Sequence, residues 1–431
     1  MKARGLPLTL RLYRGASTVA SLLAPAWLGY RIRKGKENPS RIGERRGLAS
    51  ENRPEGPLVW VHGASVGEVN CVLPLVGELR ARGYAVLLTS GTLTSSRVAE
   101  RHAPEGVIHQ FCPLDATGFV TRFLNHWSPD LVLLAESELW PNLLTELNRR
   151  KTPVVLVNGR LSPRSTRRWQ RMPKSARALL SRIDLCLAQS EDDGARFRAL
   201  GTERVDVSGN LKFDVPPPGA DPEALDELRA AIDERPLLLA ASTHPGEDEM
   251  VIAAHARLRA QMPKLLTIIA PRHPERGSDI VNLGRTAGLA TLRRTESGLP
   301  TQNTELYVAD TIGELGLFYR LAPVSFIGGS LVTRGGQNPI EPVQLGTVVL
   351  HGPHTYNFQD IYGRLDAHDG AVKVEDAPAL AEAARKLLED SSLRGQTGSA
   401  ASEILDSMSG ALDRTLRAIE PYLLHIRLQH H

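Results

Sequence analysis

Glutamates that follow short apolar runs are the residues of this chain best suited to chemistry. Glu68 closes the stretch His62-Gly63-Ala64-Ser65-Val66-Gly67-Glu68 after the apolar run Leu58–His62. Glu136 and Glu138 stand in Glu136-Ser137-Glu138-Leu139-Trp140-Pro141-Asn142 after Leu131–Ala135. A carboxylate at such a place can take a proton as a general base. For Glu68 a plainer role stands beside it, since a lone glutamate in a first helical turn complements the helix dipole. Two carboxylates at one strand end, Glu136 and Glu138, are harder to dismiss that way. Groups suited to sugar or anion oxygens lie nearby in sequence: Ser65 and Gly67, then Ser90, Gly91 and Thr92 after Ala85–Thr89, and Asn158-Gly159-Arg160. Ser and Thr are also common helix caps, so the second of these turns is a weak signal alone.

The second half carries its own set. Ser242, Thr243 and His244 follow Leu237–Ala241, and Arg272 and His273 follow Leu265–Ala270. Gly328-Gly329-Ser330 follows Val324–Ile327 and leads to Gly335-Gly336-Gln337-Asn338-Pro339-Ile340-Glu341-Pro342. Glycine-rich turns and Arg272 suit a phosphate, and Glu341 at a helix start suits ribose hydroxyls. No Walker A motif is present, and no Asp-x-Asp ends a strand, which disfavours a metal-held diphosphate. Cys71, Cys112 and Cys186 have no ligand spacing and read as buried thiols in a reducing compartment.

Short apolar runs alternating with helical patterns must position these groups. The runs Leu58–His62, Ala85–Thr89, Val107–Phe111, Leu131–Ala135, Val154–Val157, Leu185–Ala188 and Val205–Val207 read as strands of a parallel sheet covered on both faces. Val215–Asp221 (VPPPGAD) is the densest Pro/Gly stretch and reads as a linker. The alternation then resumes with Leu237–Ala241, Leu265–Ala270, Val324–Gly328 and Val348–His351. The expected organisation is an N-terminal anchor and basic flank over 1–36, a Rossmann-like domain over 37–214, a linker over 215–235, and a second Rossmann-like domain over 236–431. This α/β layout is that of the GT-B architecture, in which two such domains face each other across a cleft. Periplasmic binding proteins and several epimerases share it.

Charge is concentrated locally. Of 52 Lys/Arg and 48 Asp/Glu, residues 1–53 hold twelve and three, leaving 40 against 45 for the rest. Within that basic flank, Ala16–Tyr30 is uncharged and mostly apolar, but shorter than the ~20 residues of a full span. A retained anchor or interfacial helix beside anionic lipid is expected. A cleaved signal peptide, or a helix packed on the protein itself, are the competing readings. The stretch Arg160–Arg182 adds eight basic and no acidic residues, among them Arg164 and Arg168. It should attract phosphate groups or an anionic membrane. Nucleic acid is disfavoured, because no recognisable module for it accompanies the charge.

The ordered motifs resemble those of the 3-deoxy-D-manno-octulosonic acid (Kdo) transferases. They are R-x-G-E-R at Arg41–Arg45, H-G-A-S-V-G-E within Val61–Val69, T-S-G-T at Thr89–Thr92, E-S-E-L-W-P-N at Glu136–Asn142, N-G-R at Asn158–Arg160 and G-N-L-K-F-D at Gly209–Asp214. A-S-T-H at Ala241–His244, A-P-R-H-P-E-R at Ala270–Arg276, D-T-x-G-E-L at Asp310–Leu315 and N-P-I-E-P at Asn338–Pro342 continue the series. The resemblance implies a GT-B fold and an inverting transfer of Kdo from CMP-Kdo to the 6′-hydroxyl of lipid IVA, at the cytoplasmic face of the inner membrane. It implies that Glu68 is the general base and that Glu138 lies close by in the acceptor cleft. The CMP phosphate needs cationic or N–H stabilisation, which Arg272, Lys212 and the Gly313-Glu314 turn would supply. The expected donor set is therefore Lys212, Ser242, Thr243, His244, Arg272, His273, Gly313, Glu314, Asn338 and Glu341. The expected acceptor set is Ser65, Gly67, Ser90, Gly91, Thr92, Arg160, Arg164 and Arg168. Neither metal nor cofactor is expected, since CMP carries one phosphate, and no obligate protein partner is evident. Two other classes remain: a different enzyme of the same two-domain shape, such as a nucleotide-sugar epimerase or a lipid-A-disaccharide synthase, and a membrane-surface binding protein with a dead cleft.

Overall fold

The central strands form because they are runs of Val, Leu, Ile and Ala buried on both faces, the pattern an all-parallel sheet covered by helices demands. The computed structural model describes residues 6–430. The chain divides into two compact units, Met1–Val215 with Met408–His431, and Pro216–Ser407. The first holds β1 (Leu58–Gly63), β2 (Ala85–Ser90), β3 (Ile108–Phe111), β4 (Leu131–Ala135), β5 (Val154–Gly159), β6 (Leu185–Ala188) and β7 (Val205–Val207). Their order is β3-β2-β1-β4-β5-β6-β7, with every neighbouring pair parallel. The second holds β8 (Leu237–Thr243), β9 (Leu266–Pro271), β10 (Thr291–Arg293), β11 (Leu306–Val308), β12 (Val324–Ile327), β13 (Val348–His351) and β14 (Ala371–Lys373). Their order is β10-β11-β9-β8-β12-β13-β14, again all parallel. The expected α/β class with two parallel sheets is what the structure shows. β10, β11 and β14 add to the expected strands; each has only three residues, too short to stand out as an apolar run.

This order fixes where ligands belong. In the first unit the chain runs outward from β1 to β2 and β3, then returns to the other side of β1 for β4. The loops after β1 and β4 therefore diverge at a topological switch point, where open parallel sheets bind ligands. The second unit repeats the arrangement between β8 and β12.

The unit boundary corrects the expected division at 236–431. The last helix, Ala411–Gln429, belongs to the first unit. Its buried Leu416, Ile419, Leu423 and Ile426 recur at helical spacing and join Val69, Val72, Leu185 and Leu187 in one core. Asp214 fastens its start, accepting from Gly410 N–H at 2.6 Å and Leu412 N–H at 2.8 Å. The expected linker over 215–235 is also partly structured: Pro222–Ile232 is a helix that buries Leu228 and Ile232.

The N-terminal helix α1 (Leu8–Arg33) is 26 residues long. Among the described residues no helix is long and apolar enough to cross a membrane. One face of α1, with Leu10, Ala24 and Leu28, is buried. Tyr13 Oη donates to Asp115 at 3.0 Å, Asn142 Nδ2 donates to Ser17 Oγ at 2.9 Å, and the Thr9 and Ser175 hydroxyls meet. The opposite face carries Leu8, Leu12, Val19, Leu22, Leu23, Trp27 and Tyr30, all exposed. Half of the large apolar side chains that stand exposed among the described residues lie on this helix.

All five tryptophans lie in the first unit, so their fluorescence reports its unfolding. Ile419→Ala should lower the stability read by tryptophan fluorescence in urea by about 2–5 kcal/mol, the cost of a large-to-small change in a packed core. An unchanged tryptophan transition would contradict the assignment of the last helix to this unit.

Candidate functional site

The first candidate site grows from the end of β1. Gly63 has to lack a side chain: a Cβ there would meet the Glu68 carbonyl carbon and Val69 N at 3.0 Å, so helix α2 (Val66–Ala81) starts directly against the strand. Ser65 caps α2, its Oγ accepting from Glu68 N–H at 3.3 Å. Glu68, at the third helical position, folds back over the turn. Its Oε2 accepts from Ala64 N–H at 2.9 Å and its Oε1 accepts from Ser65 Oγ at 2.8 Å. This is a capping box in which the glutamate reaches one residue beyond the cap. The plainer capping role and the proton-accepting role thus coexist, because capping places the carboxylate at the mouth of the loop, half-buried. Burial raises its pKa above the ordinary glutamate value; the Ala64 and Ser65 hydrogen bonds oppose this, and Glu136 and Glu138 reinforce it. A base needs that upward shift to hold a proton near neutral pH.

The loop after β4 brings the other two carboxylates to the same switch point. Glu136 has a left-handed backbone (φ 54°) and accepts from Lys212 Nζ at 3.0 Å. Glu138 Oε2 accepts from Trp140 Nε1 at 2.5 Å and faces His62 Nε2 at 3.5 Å. Behind His62, Thr89 Oγ1 lies 2.8 Å from Nδ1 and accepts from Trp60 Nε1 at 2.8 Å. The backbone O of Thr89 lies 3.1 Å from the same Nδ1, so Thr89 fixes the His62 ring with Nε2 turned toward Glu138. Burial works to raise the pKa of Glu138, but His62 and Trp140 outweigh it and hold the group below the ordinary value. Two neighbouring glutamates thus have their pKa values pushed apart, one upward and one downward, which is how acid–base roles are divided.

Lys212, expected among the donor groups, lies in the first unit, where its Nζ donates to Glu136. Of the expected acceptor set, Ser65, Gly67, Gly91 and Thr92 line the turns after β1 and β2. Ser90 is buried, with its Oγ 2.9 Å from His109 Nε2. Arg160, Arg164 and Arg168 are exposed on the segment after β5, together with Arg167, Arg171, Lys174 and Arg177, and none is ion-paired among the described residues.

In the second unit the turn after β8 holds Ser242, whose backbone is left-handed (φ 56°), then Thr243 and His244. Thr243 is fully buried and donates to Asp248 Oδ1 at 2.6 Å, and Asp248 pairs with Arg276. The hydroxyl of Thr243 therefore faces the protein. The turn after β12 also differs from expectation. The N–H groups of Gly329, Ser330 and Leu331, which would suit a phosphate, already bind the buried carboxylate of Glu247 at 2.7, 3.0 and 2.9 Å. His244 N–H adds a fourth bond at 2.9 Å, so Glu247 ties the turns after β8 and β12 together. The cations stand elsewhere. Burial lowers the pKa of His244, and Arg334, His273, Arg272 and Arg276 lower it further, so four cationic or ionisable groups gather round this ring. Arg272, His273 and Arg334 are exposed. Asn338 Nδ2 donates to Glu341 Oε1 at 3.0 Å, and burial raises the Glu341 pKa against the pull of Arg272. Glu314 is held by Arg294 at 2.7 and 2.9 Å, while Gly313 lies exposed beside it in a left-handed turn (φ 91°). Sequence reasoning missed Arg334, which directly precedes the glycine-rich stretch, and gave no role to Gln337 within it, whose Nε2 lies 3.2 Å from His244 Nε2. It also left His62 without a role, although His62 opens the first motif.

Residues 40–215 match the family model described as 3-deoxy-D-manno-octulosonic-acid transferase (kdotransferase). The chain is 36% identical over 421 residues to a 3-deoxy-D-manno-octulosonic acid transferase of Haemophilus influenzae, covering 95% of this chain and 98% of that one. It is 37% identical over 433 residues to the protein of that description from Bordetella pertussis, covering 95% and 99%. Among solved structures it is similar to a putative UDP-N-acetylglucosamine 2-epimerase from Listeria monocytogenes, with TM-score 0.53, 16% identity and coverage of 86% of this chain and 97% of that one. That last likeness concerns the fold alone.

Glu247→Ala would strip four backbone N–H groups of their acceptor. Amide exchange at Gly329, Ser330 and Leu331 should accelerate by about two orders of magnitude, about 3 kcal/mol of lost local stability. Unchanged protection, measured by NMR-detected exchange, would contradict this role for Glu247.

Proposed function

The chain belongs to the 3-deoxy-D-manno-octulosonic acid (Kdo) transferase family of glycosyltransferases, and from that premise we propose that it transfers Kdo from CMP-Kdo to the 6′-hydroxyl of lipid IVA with inversion. The observation that carries this reading is the pairing of Glu68, half-buried with a raised pKa, with Glu138, held ionised beside it at the β1/β4 switch point. An inverting transfer needs one base on the acceptor side. As the hydroxyl oxygen bonds to the anomeric carbon, the bond from that carbon to the phosphate oxygen breaks. CMP leaves with the electron pair, and the hydroxyl proton passes to Glu68. Glu138 and its His62–Thr89 support orient the acceptor. Ser65, Gly67, Gly91 and Thr92 supply sugar-oxygen contacts from the adjoining turns.

The donor belongs to the second unit in this reading, as in the GT-B architecture. The leaving phosphate takes its stabilisation from Arg272, His273 and His244, to which the structure adds Arg334. Glu341, oriented by Asn338, suits the ribose hydroxyls. Backbone N–H groups of the Gly313-Glu314 turn suit the remaining oxygens. CMP carries a single phosphate, which cations of this kind can neutralise without a divalent ion.

The acceptor is a lipid, and α1 supplies a means to meet it. Its exposed face carries Leu8, Leu12, Val19, Leu22, Leu23, Trp27 and Tyr30, while its other face is docked on the protein. A helix of this kind lies in the plane of a membrane interface. The exposed Arg160, Arg164 and Arg168, on the segment that leads into the helix touched by Thr9, suit the acceptor phosphates and anionic lipid. We propose that the enzyme works at the cytoplasmic face of the inner membrane, a reading that an apolar helix face beside exposed arginines supports.

The test is CMP release from CMP-Kdo, followed with and without lipid IVA. Release should require lipid IVA, and Glu68→Gln should abolish it while CMP-Kdo still binds with unchanged affinity by calorimetry. Equal turnover without lipid IVA would point to a hydrolase or epimerase. Near-normal turnover by Glu68→Gln would remove Glu68 as the base.

A further inference from the structure

We propose that Arg45 is a positioning residue for the reaction: through the backbone of Gly91 and Ala64 it holds the Glu68 carboxylate in place. The inference rests on the reading of Glu68 as base and assigns a task to the Arg41–Arg45 motif, which that reading leaves without one. Arg45 is 5% exposed and makes no hydrogen bond to Glu68. Its Nη2 donates to Gly91 O at 2.7 Å, its Nη1 to Cys112 O at 3.2 Å and its Nε to Glu37 Oε2 at 3.0 Å. The guanidinium lies 4.5 Å from the centre of the Phe111 ring. A planar fork that meets two carbonyls and a carboxylate at once is a task for arginine, and lysine cannot reproduce it.

From Gly91 the restraint passes inward. Gly91 N–H donates to Ala64 O at 2.9 Å, and Ser95 Oγ donates to the same carbonyl at 3.2 Å. The contact is so close that a Cβ on Gly91 would fall 2.7 Å from Ala64 O and 3.1 Å from Ala64 Cα. Ala64 N–H then donates to Glu68 Oε2 at 2.9 Å. Three successive short contacts thus run from a buried cation to the carboxylate. The rest of the motif secures the base of this path: Arg41 and Glu44 pair at 2.9 Å, Glu44 accepts from Phe111 N–H at 2.7 Å, and Arg41 donates to His109 O at 2.9 Å. Glu37, the partner of Arg45, also accepts from Arg31 at the end of α1 at 2.8 Å.

The path sets how Glu68 titrates. Its Ala64 N–H bond favours the ionised form. The other groups facing it are Ser65 on its own turn and Glu136 and Glu138 from the loop after β4, backed by Lys212 and His62. None of these depends on Arg45. Loosening Ala64 should therefore raise the Glu68 pKa and move the acidic limb of the rate profile to higher pH.

The experiment uses the full chain with CMP-Kdo and lipid IVA, comparing wild type with Arg45→Met, Arg45→Lys and Gly91→Ala, with Glu68→Gln in parallel. Arg45→Met should lower kcat about tenfold or more, leave KM for CMP-Kdo within about twofold, and shift the acidic limb of kcat upward. Arg45→Lys should recover thermal stability without recovering kcat. Gly91→Ala displaces Ala64 from the other side and should shift the limb the same way, so it carries the test if Arg45→Met does not fold. An inactive Glu68→Gln together with an unmoved acidic limb in the Arg45 and Gly91 variants would overturn the positioning role alone. An active Glu68→Gln would overturn the base assignment on which it rests.

Discussion

Three carboxylates converge on the carboxyl end of the first sheet, and the constraint they share is that each needs its own partner there. Like charges in a half-buried site cannot all stay ionised without partners. Each has been given a different one: Glu136 a lysine, Glu138 an indole N–H and an imidazole, Glu68 a peptide N–H and a hydroxyl. The differences matter more than the pairings. A full positive charge at 3.0 Å spends Glu136 on structure, whereas neutral donors leave Glu68 able to take a proton. The left-handed backbones of Glu136 and Asn158 belong to the same design. Asn158 accepts from Leu211 N–H at 3.0 Å, which seats the turn that carries Lys212 opposite Glu136.

The second unit uses a buried carboxylate for a contrary purpose. Glu247 fills a nest of backbone N–H groups that an anion would otherwise occupy, and so welds the turns after β8 and β12. The cationic and ionisable side chains of this unit, Arg272, Arg334, His244 and His273, gather close to those turns.

Much of this was legible in the sequence, for identifiable reasons. Strands buried on both faces announce themselves as continuous apolar runs, so the two parallel sheets and the carboxyl-end placement of Glu68, Glu138, His244 and Arg272 followed from the pattern. What was not legible depends on tertiary partners. The last helix carries an ordinary amphipathic stripe, and nothing in it says which sheet it covers. Gly328-Gly329-Ser330 has the composition of a phosphate turn, but Glu247, some eighty residues earlier, occupies it. The partner of Lys212 within its own unit, Glu136, is likewise set by tertiary contact and not by sequence spacing. Arg45 looks like one more charge in a basic flank; only its three acceptors distinguish it. The apolar stretch within α1 was visible, but its split into a docked face and a bare one appears only once Asp115 and Asn142 are seen to hold it.

The central proposal is that this Kdo transferase passes Kdo from CMP-Kdo to lipid IVA. Intact-mass spectrometry of lipid IVA after incubation with the enzyme and CMP-Kdo tests it most directly. The account predicts a product heavier than lipid IVA by one or more Kdo residues, with an equal number of CMP molecules released. Unmodified lipid IVA alongside consumed CMP-Kdo would contradict it.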